Sequence, residues 1–441
     1  AARGYTEEEF LVSGTANAYD WPAVATPGVP LQIRQAHLPY TTRLLLRRPV
    51  DARRFSGRVI FELLDAEGQG EAAPLWGLSF EHFLRQGDVW VGLTLRPDAL
   101  ATLRRFDPLR YAMVTFAPRT GDCAAPGEAG LAFDIVAQAG ALLRSSSKEN
   151  PLGNFVVRRV LAAGYSQSGA DLITYINALH APLRLGDGRP VFDGYLVAAP
   201  AATPAPLSAC AAPLSTEDAR RRIGPRDVPV VTVLTQSDID LVPALRRADS
   251  DEANDVYRTY EIAGAAHGGP HAAGLVAVAD LAIAGLAPPP APAELCSNAP
   301  GNFPAGLALN ALWMQFDDLL LRVMPMQHAP PLQTDAAGKL TLDAQGNALG
   351  GVRLPQLAVP LAVYSGYSTP KNAAPASQSL CALAGSMRRL DSAELKALYG
   401  NRAEYLRRFN AAVDQDVTDR WLVPADAAAV KALAARTPLA F

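Results

Sequence analysis

The chain has 441 residues, of which 49% are hydrophobic and 19% are charged, and its formal net charge is −3. This composition supplies apolar side chains for a large core and excludes a disordered chain. The slight negative charge provides no basic surface for nucleic acid or anionic lipid, and no apolar run has the length of a membrane span. We expect a globular protein that is too long for one ordinary core.

Apolar runs alternate with helical patterns from residue 39 to residue 287, which is typical of α/β proteins. Near-continuous apolar runs, such as those after Gly57 and Asp88, indicate central strands that are covered on both faces. The strands are predicted at 40–48, 58–64, 89–95, 158–164, 194–199, 228–235 and 257–263. Helices are predicted at 75–86 with Gly87 as the C-cap, and at 130–144, 170–180 and 271–286.

The alternation stops after the proline-rich stretch "APPPAPAEL", which is the predicted domain boundary. Helices are predicted beyond it at 306–323, 392–399, 402–415 and 425–435. We therefore predict a lead segment at 1–38, an α/β core with a mostly parallel sheet at 39–287, and a mostly helical C-terminal subdomain at 288–441. The stretch "DAAGKLTLDAQGN" lacks the acidic spacing of a calcium loop, so a pair of tight turns is expected there.

The stretch "LAAGYSQSGADL" places Ser166 directly after a predicted strand and directly before a predicted helix. A phosphate-binding loop would need Lys and Ser/Thr where this chain has Ala170 and Asp171, and the aspartate would repel phosphate at a helix N-terminus. A phosphate site is therefore excluded.

A nucleophile elbow, in which a sharp strand-to-helix turn exposes one serine, accounts for the same stretch. The usual pattern is G-x-S-x-G, and here Ser168 replaces the second glycine while Gly169 follows one residue later. A serine is small enough for a position that faces the neighbouring strand. The alternative is an ordinary serine in a glycine-containing turn.

A nucleophilic serine needs a histidine base and a carboxylate that orients it, in the chain order Ser, Asp or Glu, His. His267 follows the predicted strand 257–263 and is the preferred base, with His271 and His328 as alternatives. The strand 228–235 leads into Asp238 and Asp240, and Asp238 is preferred because it lies closer to the strand end.

The negative oxygen that forms during acyl transfer needs backbone N–H donors. We expect the N–H of Gln167 and one N–H from the loop after strand 58–64, either Asp65 or Ala66. Tyr165, beside the serine, and Arg353 are candidates for substrate binding. A guanidinium at Arg353 suits a substrate carboxylate, and a structural ion pair is the alternative.

These motifs together resemble a bacterial family described as alpha/beta hydrolase domain-containing proteins, which are mostly exported and are taken to be serine esterases. The resemblance covers nearly the whole chain and includes "PYTTRLLLRRP", "GYSQSG", "TQSD", "YEIAGAAH" and "DAQGNALGGVRLP". It implies an α/β-hydrolase fold and a Ser-Asp-His triad at Ser166, Asp238 and His267. Members often carry Glu where this chain has Gln236, which cannot serve as a carboxylate, so the acid role falls to Asp238.

We therefore expect a serine hydrolase that cleaves small-molecule carboxylic esters through an acyl-enzyme, with the C-terminal subdomain packed near the active site. No metal or organic cofactor is implied. An acyltransferase or a peptidase would use the same triad, and a non-catalytic binding protein on the same fold is a further alternative.

Export is expected because the chain opens "AARGYTEEEF", without an initiator Met or an apolar signal core, as a mature protein would after removal of its leader. Its four cysteines lie far apart in the sequence, which does not suit zinc. A disulfide between Cys296 and Cys381 is expected in an exported protein, and isolated buried thiols are the alternative.

Overall fold

The computed structural model describes residues 3–22, 31–66, 70–118, 127–215, 217–269 and 278–439. In this part of the chain, ten strands form a mixed β-sheet. Its strands are β1 (Tyr5–Asp20), β2 (Gln32–Pro49), β3 (Arg58–Leu63), β4 (Val89–Leu93), β5 (Thr115–Phe116), β6 (Arg159–Tyr165), β7 (Gly194–Ala198), β8 (Val230–Thr235), β9 (Ser250–Glu252) and β10 (Asp255–Ile262). Their order is β1-β2-β4-β3-β6-β7-β8-β10-β9, and β5 pairs with β2. A separate hairpin joins β11 (Ala362–Ser365) to β12 (Ser386–Arg389).

Helices accompany the sheet and dominate the last third of the chain. They are α1 (Pro74–Gln86), α2 (Pro97–Phe106), α3 (Leu131–Leu142), α4 (Ser166–Thr174), α5 (Val278–Ile283), α6 (Pro292–Leu295), α7 (Ala305–Arg322), α8 (Pro355–Ala358), α9 (Pro375–Leu383), α10 (Ser392–Tyr399), α11 (Arg402–Thr418) and α12 (Pro424–Arg436). Among the described residues, no helix is both long enough and apolar enough to cross a bilayer.

The predicted α/β architecture is confirmed. Strands β4, β3, β6 and β7 pair in parallel, and every residue in them is buried. This burial is the reason that their sequences read as continuous apolar runs rather than as alternating ones. The predicted C-cap of α1 is also confirmed, since Gly87 has φ 77° and a Cβ there would lie 1.9 Å from the Arg54 carbonyl oxygen.

Strand β1, which the sequence pattern did not reveal, pairs antiparallel with the unexpectedly long β2 from Tyr5↔Pro49 to Asp20↔Gln32. Its acidic residues pair with arginines of β2: Arg47 Nε donates to Glu7 and Arg48 Nε donates to Glu8, both at 2.6 Å. From the sequence alone, the charged run at the start of β1 resembles a loop, because the arginines that pair with it lie about forty residues further along. The predicted domain limits at 38/39 and 287/288 stay predictions.

The start of α1 is held by a carboxylate from the sheet. Glu62, which is fully buried in β3, accepts hydrogen bonds from the N–H groups of Leu75 and Trp76 at 2.8 and 2.9 Å and from Trp90 Nε1 at 2.7 Å. Two free N–H groups of the first helical turn are thereby satisfied by the Glu62 carboxyl group, although burial raises its pKa to about 7.

The chain forms two compact units. The first contains Ala1–Thr232, Ala244–Tyr257 and Gly274–Pro289, and the second contains Val233–Pro243, Arg258–Ala273 and Pro290–Phe441.

Two features of the second unit confirm expectations from the sequence. The Asp335 and Asp343 carboxylates each accept two backbone N–H groups from residues two and four positions further along, which makes a pair of tight turns. The predicted disulfide joins Cys296 to Cys381 across 85 residues of sequence.

Acid should destabilise the fold through His82 in α1. This imidazole is 1% exposed, and neither ring nitrogen has a hydrogen-bond partner among the described residues. Burial, helped by nearby arginines, lowers the pKa of His82 to about 3. The unfolded chain therefore binds the proton more readily, and stability is lost as pH falls below about 6.5, by at most about 1.4 kcal/mol per pH unit.

We expect His82→Leu to remove this loss. Between pH 7 and pH 5, the free energy of unfolding of the variant should decrease by about 2 kcal/mol less than that of the wild type. Urea titrations at several pH values measure the difference. His328→Leu, at an exposed histidine, is the control and should follow the wild-type pH profile. Parallel profiles for the wild type and His82→Leu would contradict the explanation.

Candidate active site

Ser166 lies on a strained turn in the first unit, where β6 ends and α4 begins. Its φ of 55° is in the left-handed region, which a residue with a side chain rarely adopts, and the residue is 7% exposed. Its N–H donates to the Ala199 carbonyl at 3.1 Å, and its carbonyl accepts from the Ala201 N–H at 2.9 Å. The chain after β7 thus holds the turn from both sides. This is the strand, sharp turn and helix that a nucleophile elbow requires.

The small residues around Ser166 have separate roles. A Cβ on Gly164 would lie 2.4 Å from the Ser168 carbonyl oxygen, so the close approach of strand and helix requires glycine. The Ser168 hydroxyl accepts from the Tyr165 N–H at 3.0 Å and donates to the Tyr165 carbonyl at 2.9 Å. Gly169, rather than Ser168, faces the end of β7, since its Cβ would lie 3.1 Å from the Ala198 carbonyl oxygen. Ser168 therefore closes the turn, and the interpretation that it faces the neighbouring strand was wrong.

An acid–base pair lies in the second unit, beyond the ends of β8 and β10. Asp238 is fully buried, and its Oδ1 lies 2.8 Å from His267 Nδ1. Its Oδ2 accepts from the N–H of Thr235 at 2.8 Å and from the Thr235 hydroxyl at 2.6 Å. Both carboxylate oxygens are thus engaged, whereas Asp240 is exposed. The geometry selects Asp238 as the partner of His267.

Further hydrogen bonds tie the loop of His267 to the loop of Asp238. The His267 N–H donates to the Ser237 hydroxyl at 2.9 Å, and the Gly264 N–H donates to Gln236 Oε1 at 2.8 Å. The Tyr367 hydroxyl donates to the Gln236 carbonyl at 2.8 Å. These contacts explain how an amide serves at position 236, because its side-chain oxygen supports the histidine loop.

Thr235, Ser237 and Tyr367 support the pair and were not predicted from the sequence. Thr235 and Ser237 lie three residues and one residue before the predicted acid, where their hydroxyl groups are a local signal. Tyr367 lies more than a hundred residues further along the chain, where no pattern marks it.

The predicted oxyanion donors both lie in the first unit. Gln167 is the second residue of α4, near the positive end of the helix dipole. The Asp65 N–H donates to the Ala72 carbonyl at 2.9 Å, which uses the N–H and removes Asp65 from the candidates. Ala66 is then the remaining candidate in that loop.

The remaining candidates have varied environments. Arg353 donates to Asp343 Oδ2 at 2.8 Å and to the Leu357 carbonyl at 3.1 Å, which are the contacts of a structural cation. Tyr165 is 5% exposed. His328 is exposed, and His271 lies outside the described residues. Within the described part of the chain, no three His, Cys, Asp or Glu side chains are grouped as metal ligands.

Comparison with known proteins gives one family match and several structural ones. A family model described as an alpha/beta hydrolase domain matches residues 1–432. No curated protein matches the chain. Solved structures that are similar include esterase Est22, at 10% identity over 58% of this chain and 72% of that chain, with a TM-score of 0.30.

Two further solved structures match this chain with similar identity, coverage and TM-score. An alpha-beta serine hydrolase homologue from Coxiella burnetii is 9% identical over 52% of this chain and 84% of that chain, with a TM-score of 0.28. A lipase/esterase from Lactobacillus plantarum is 10% identical over 54% of this chain and 80% of that chain, with a TM-score of 0.30.

Proposed function

The chain belongs to the alpha/beta hydrolase domain family, and from this membership we propose that it is a serine hydrolase that cleaves carboxylic esters. Membership confirms the family and the α/β-hydrolase fold expected from the sequence. The proposal is carried by the hydrogen bond between buried Asp238 and His267 Nδ1, an arrangement that prepares an imidazole to act as a base. Ser166 is the proposed nucleophile.

In the proposed reaction, Asp238 holds the proton of His267 on Nδ1, which leaves a lone pair on Nε2. Nε2 removes the proton of the Ser166 hydroxyl while Oγ forms a bond to the acyl carbon of the ester. The buried Asp238 carboxylate stabilises the resulting imidazolium. This step requires His267 Nε2 to reach Ser166 Oγ, which the labelling experiment below tests.

The tetrahedral intermediate then collapses. Its C–O bond breaks, the leaving alcohol takes the proton from Nε2, and the acyl group stays on Ser166. Water repeats the sequence, with His267 as base, and releases the carboxylic acid. We propose that the N–H groups of Gln167 and Ala66 stabilise the negative oxygen in both half-reactions. Tyr165 remains a proposed substrate contact, whereas Arg353 is engaged by Asp343 and the Leu357 carbonyl.

We further propose that the protein acts outside the cytosol. The Cys296–Cys381 disulfide supports this, because such bonds persist in oxidising compartments. Fractionation of cells that produce the protein from its natural gene should recover it in the periplasm or medium, with Cys296 and Cys381 resistant to alkylation until a reductant is added. Recovery in the cytosol with both thiols reactive would contradict export.

Ser166→Ala should abolish ester hydrolysis, because no other group would carry the acyl chain. We expect turnover of p-nitrophenyl esters to fall by on the order of 10⁴ or more. A fluorophosphonate should modify Ser166 in the wild type and nothing in the variant, as measured by intact mass and peptide mapping. Ser145→Ala, at an exposed serine, is the control and should keep full activity and labelling. Wild-type turnover in Ser166→Ala would overturn the assignment.

Asp238→Asn should lower turnover by on the order of 10⁴, because an amide favours the wrong tautomer of His267. Asp240→Asn makes the same change two residues further along, at an exposed position, and should stay within about twofold of the wild type. Steady-state kinetics of both variants, with circular dichroism as a check on folding, decide between them. A crippled Asp240→Asn beside an active Asp238→Asn would refute the proposed orienting role.

A further inference from the structure

The Cys296–Cys381 disulfide attaches α9 to the end of α6 in the second unit. Cys381 belongs to α9 and is fully buried, and Cys296, directly after α6, is 3% exposed. Among the nine residues of α9, only Ser377 and Cys381 are buried. The apolar cluster around the two cysteines contains one further buried residue, Ala384. The helix therefore buries little apolar surface of its own, and its attachment depends on the disulfide.

The end of α9 holds the loop of the proposed base. The carbonyl of Leu383, the last residue of α9, accepts the Gly268 N–H at 2.9 Å, and Gly268 directly follows His267. On the other side of the histidine, Ala266 lies close to Gly385, where an added Cβ would be 2.5 Å from the Ala266 Cβ. The backbone on both sides of the imidazole thus contacts the chain at the end of α9.

The same turn of α9 holds the segment that supports the aspartate loop. The Cys381 carbonyl accepts the Ser368 N–H at 2.7 Å. The neighbouring Tyr367 hydroxyl donates to the Gln236 carbonyl at 2.8 Å, two residues before Asp238. Burial and two nearby aspartates raise the pKa of Tyr367, so its hydroxyl keeps the proton that it donates. One backbone and one side-chain hydrogen bond thus connect the disulfide to the aspartate loop.

The other cysteine is joined to the same segment. The Ser297 N–H donates to the Thr369 carbonyl, and the Lys371 N–H donates to the Leu295 carbonyl, both at 2.8 Å. Residues 368–371 are therefore hydrogen-bonded to the chain at both ends of the disulfide. Without the S–S bond, these backbone hydrogen bonds remain as the connection, and bonds at exposed residues such as Thr369 and Lys371 open locally at low free energy.

We propose that the Cys296–Cys381 disulfide positions the acid–base pair, because it fixes the end of α9, whose carbonyls hold the histidine loop directly and the aspartate loop through Tyr367. Without the bond, the imidazole adopts orientations from which it removes the serine proton less often. A misplacement of about 1 Å costs on the order of 10² in rate, so a partial one should cost about tenfold. The effect on hydrolysis rests on the proposed function, whereas the effect on the orientation of His267 does not.

The Cys296→Ala/Cys381→Ala double variant tests this role. We expect kcat for p-nitrophenyl esters to fall by about tenfold while KM stays within about twofold, because the groups that move act on the proton and not on substrate binding. Circular dichroism checks folding, and active sites are counted with a fluorophosphonate. A disulfide that only stabilises the fold would lower the midpoint of thermal unfolding and leave kcat per active site unchanged, and that result would overturn the proposal.

Reduction of the wild type is a reversible form of the same test. A dithiol such as dithiothreitol gives two electrons and two protons to the disulfide, leaves two thiols and is itself oxidised to a cyclic disulfide. Activity should fall as alkylation of Cys296 and Cys381 rises, and it should return on reoxidation. The double variant is the matched control and should show no further fall. An equal fall in the double variant would assign the effect to another disulfide and overturn the proposal.

Tyr367→Phe leaves the disulfide intact and removes only the hydroxyl that binds the Gln236 carbonyl. Its kcat should fall several-fold with KM unchanged. The matched control is Tyr364→Phe, the same change at a part-buried tyrosine of β11, which should keep the wild-type kcat. If the double variant fails to fold, a wild-type kcat in Tyr367→Phe would overturn the proposal by itself.

Nitrogen NMR of the imidazole, assigned by the loss of its signals in His267→Gln, measures its state without any substrate. The wild type should show the Nδ1–H tautomer that Asp238 fixes, and the double variant should show a mixture of tautomers. Equal spectra would overturn the positioning role. A changed spectrum in a protein that hydrolyses no ester would overturn the proposed function and leave the positioning role standing.

Discussion

The buried Asp238 carboxylate is the constraint on which the acid–base half of the candidate site depends. A charge with no exposure is tolerated only when its oxygens are hydrogen-bonded, and here Thr235 and His267 provide those bonds. The loop after β10 must therefore return to the loop after β8, and the bonds from Gly264 to Gln236 and from His267 to Ser237 maintain that return. The requirement to satisfy one carboxylate thus sets the position of the imidazole.

The strained turn at Ser166, in the first unit, is likewise held in place by hydrogen bonds. A residue with a side chain at positive φ is unfavourable by about 1–3 kcal/mol, and such strain persists where its surroundings determine the conformation. The surroundings here are two backbone hydrogen bonds to the chain after β7 and the Ser168 hydroxyl bridging both backbone groups of Tyr165. Small residues on either side permit the close approach that these bonds need. The strain at Ser166 therefore has a structural explanation.

Two buried glutamate side chains in the first unit have different hydrogen-bond partners. Glu62 receives three N–H donors from α1 and β4 and holds the start of a helix. Glu71 receives Arg43 and the Thr94 hydroxyl on Oε2, and its buried Oε1 has no donor among the described residues. The first carboxyl group therefore joins a helix to the sheet, whereas the second joins the loop before α1 to β2 and to the residue after β4.

The sequence by itself determined the α/β architecture, the strand-turn-helix around Ser166 and the chain order of the candidate triad, and it left the Cys296–Cys381 bond open beside free thiols. These follow from local periodicity, turn chemistry and motif order, which are properties of neighbouring residues. Only the tertiary structure decided that Asp238 rather than Asp240 contacts His267, that the Asp65 N–H is already used, and that Tyr367 supports the loop of Asp238. Each of these depends on a hydrogen bond between different segments of the chain, from Asp65 and Ala72 in one loop to Asp238 and His267 in two. Such partners are set by the packing of loops at the strand ends, which no local pattern encodes.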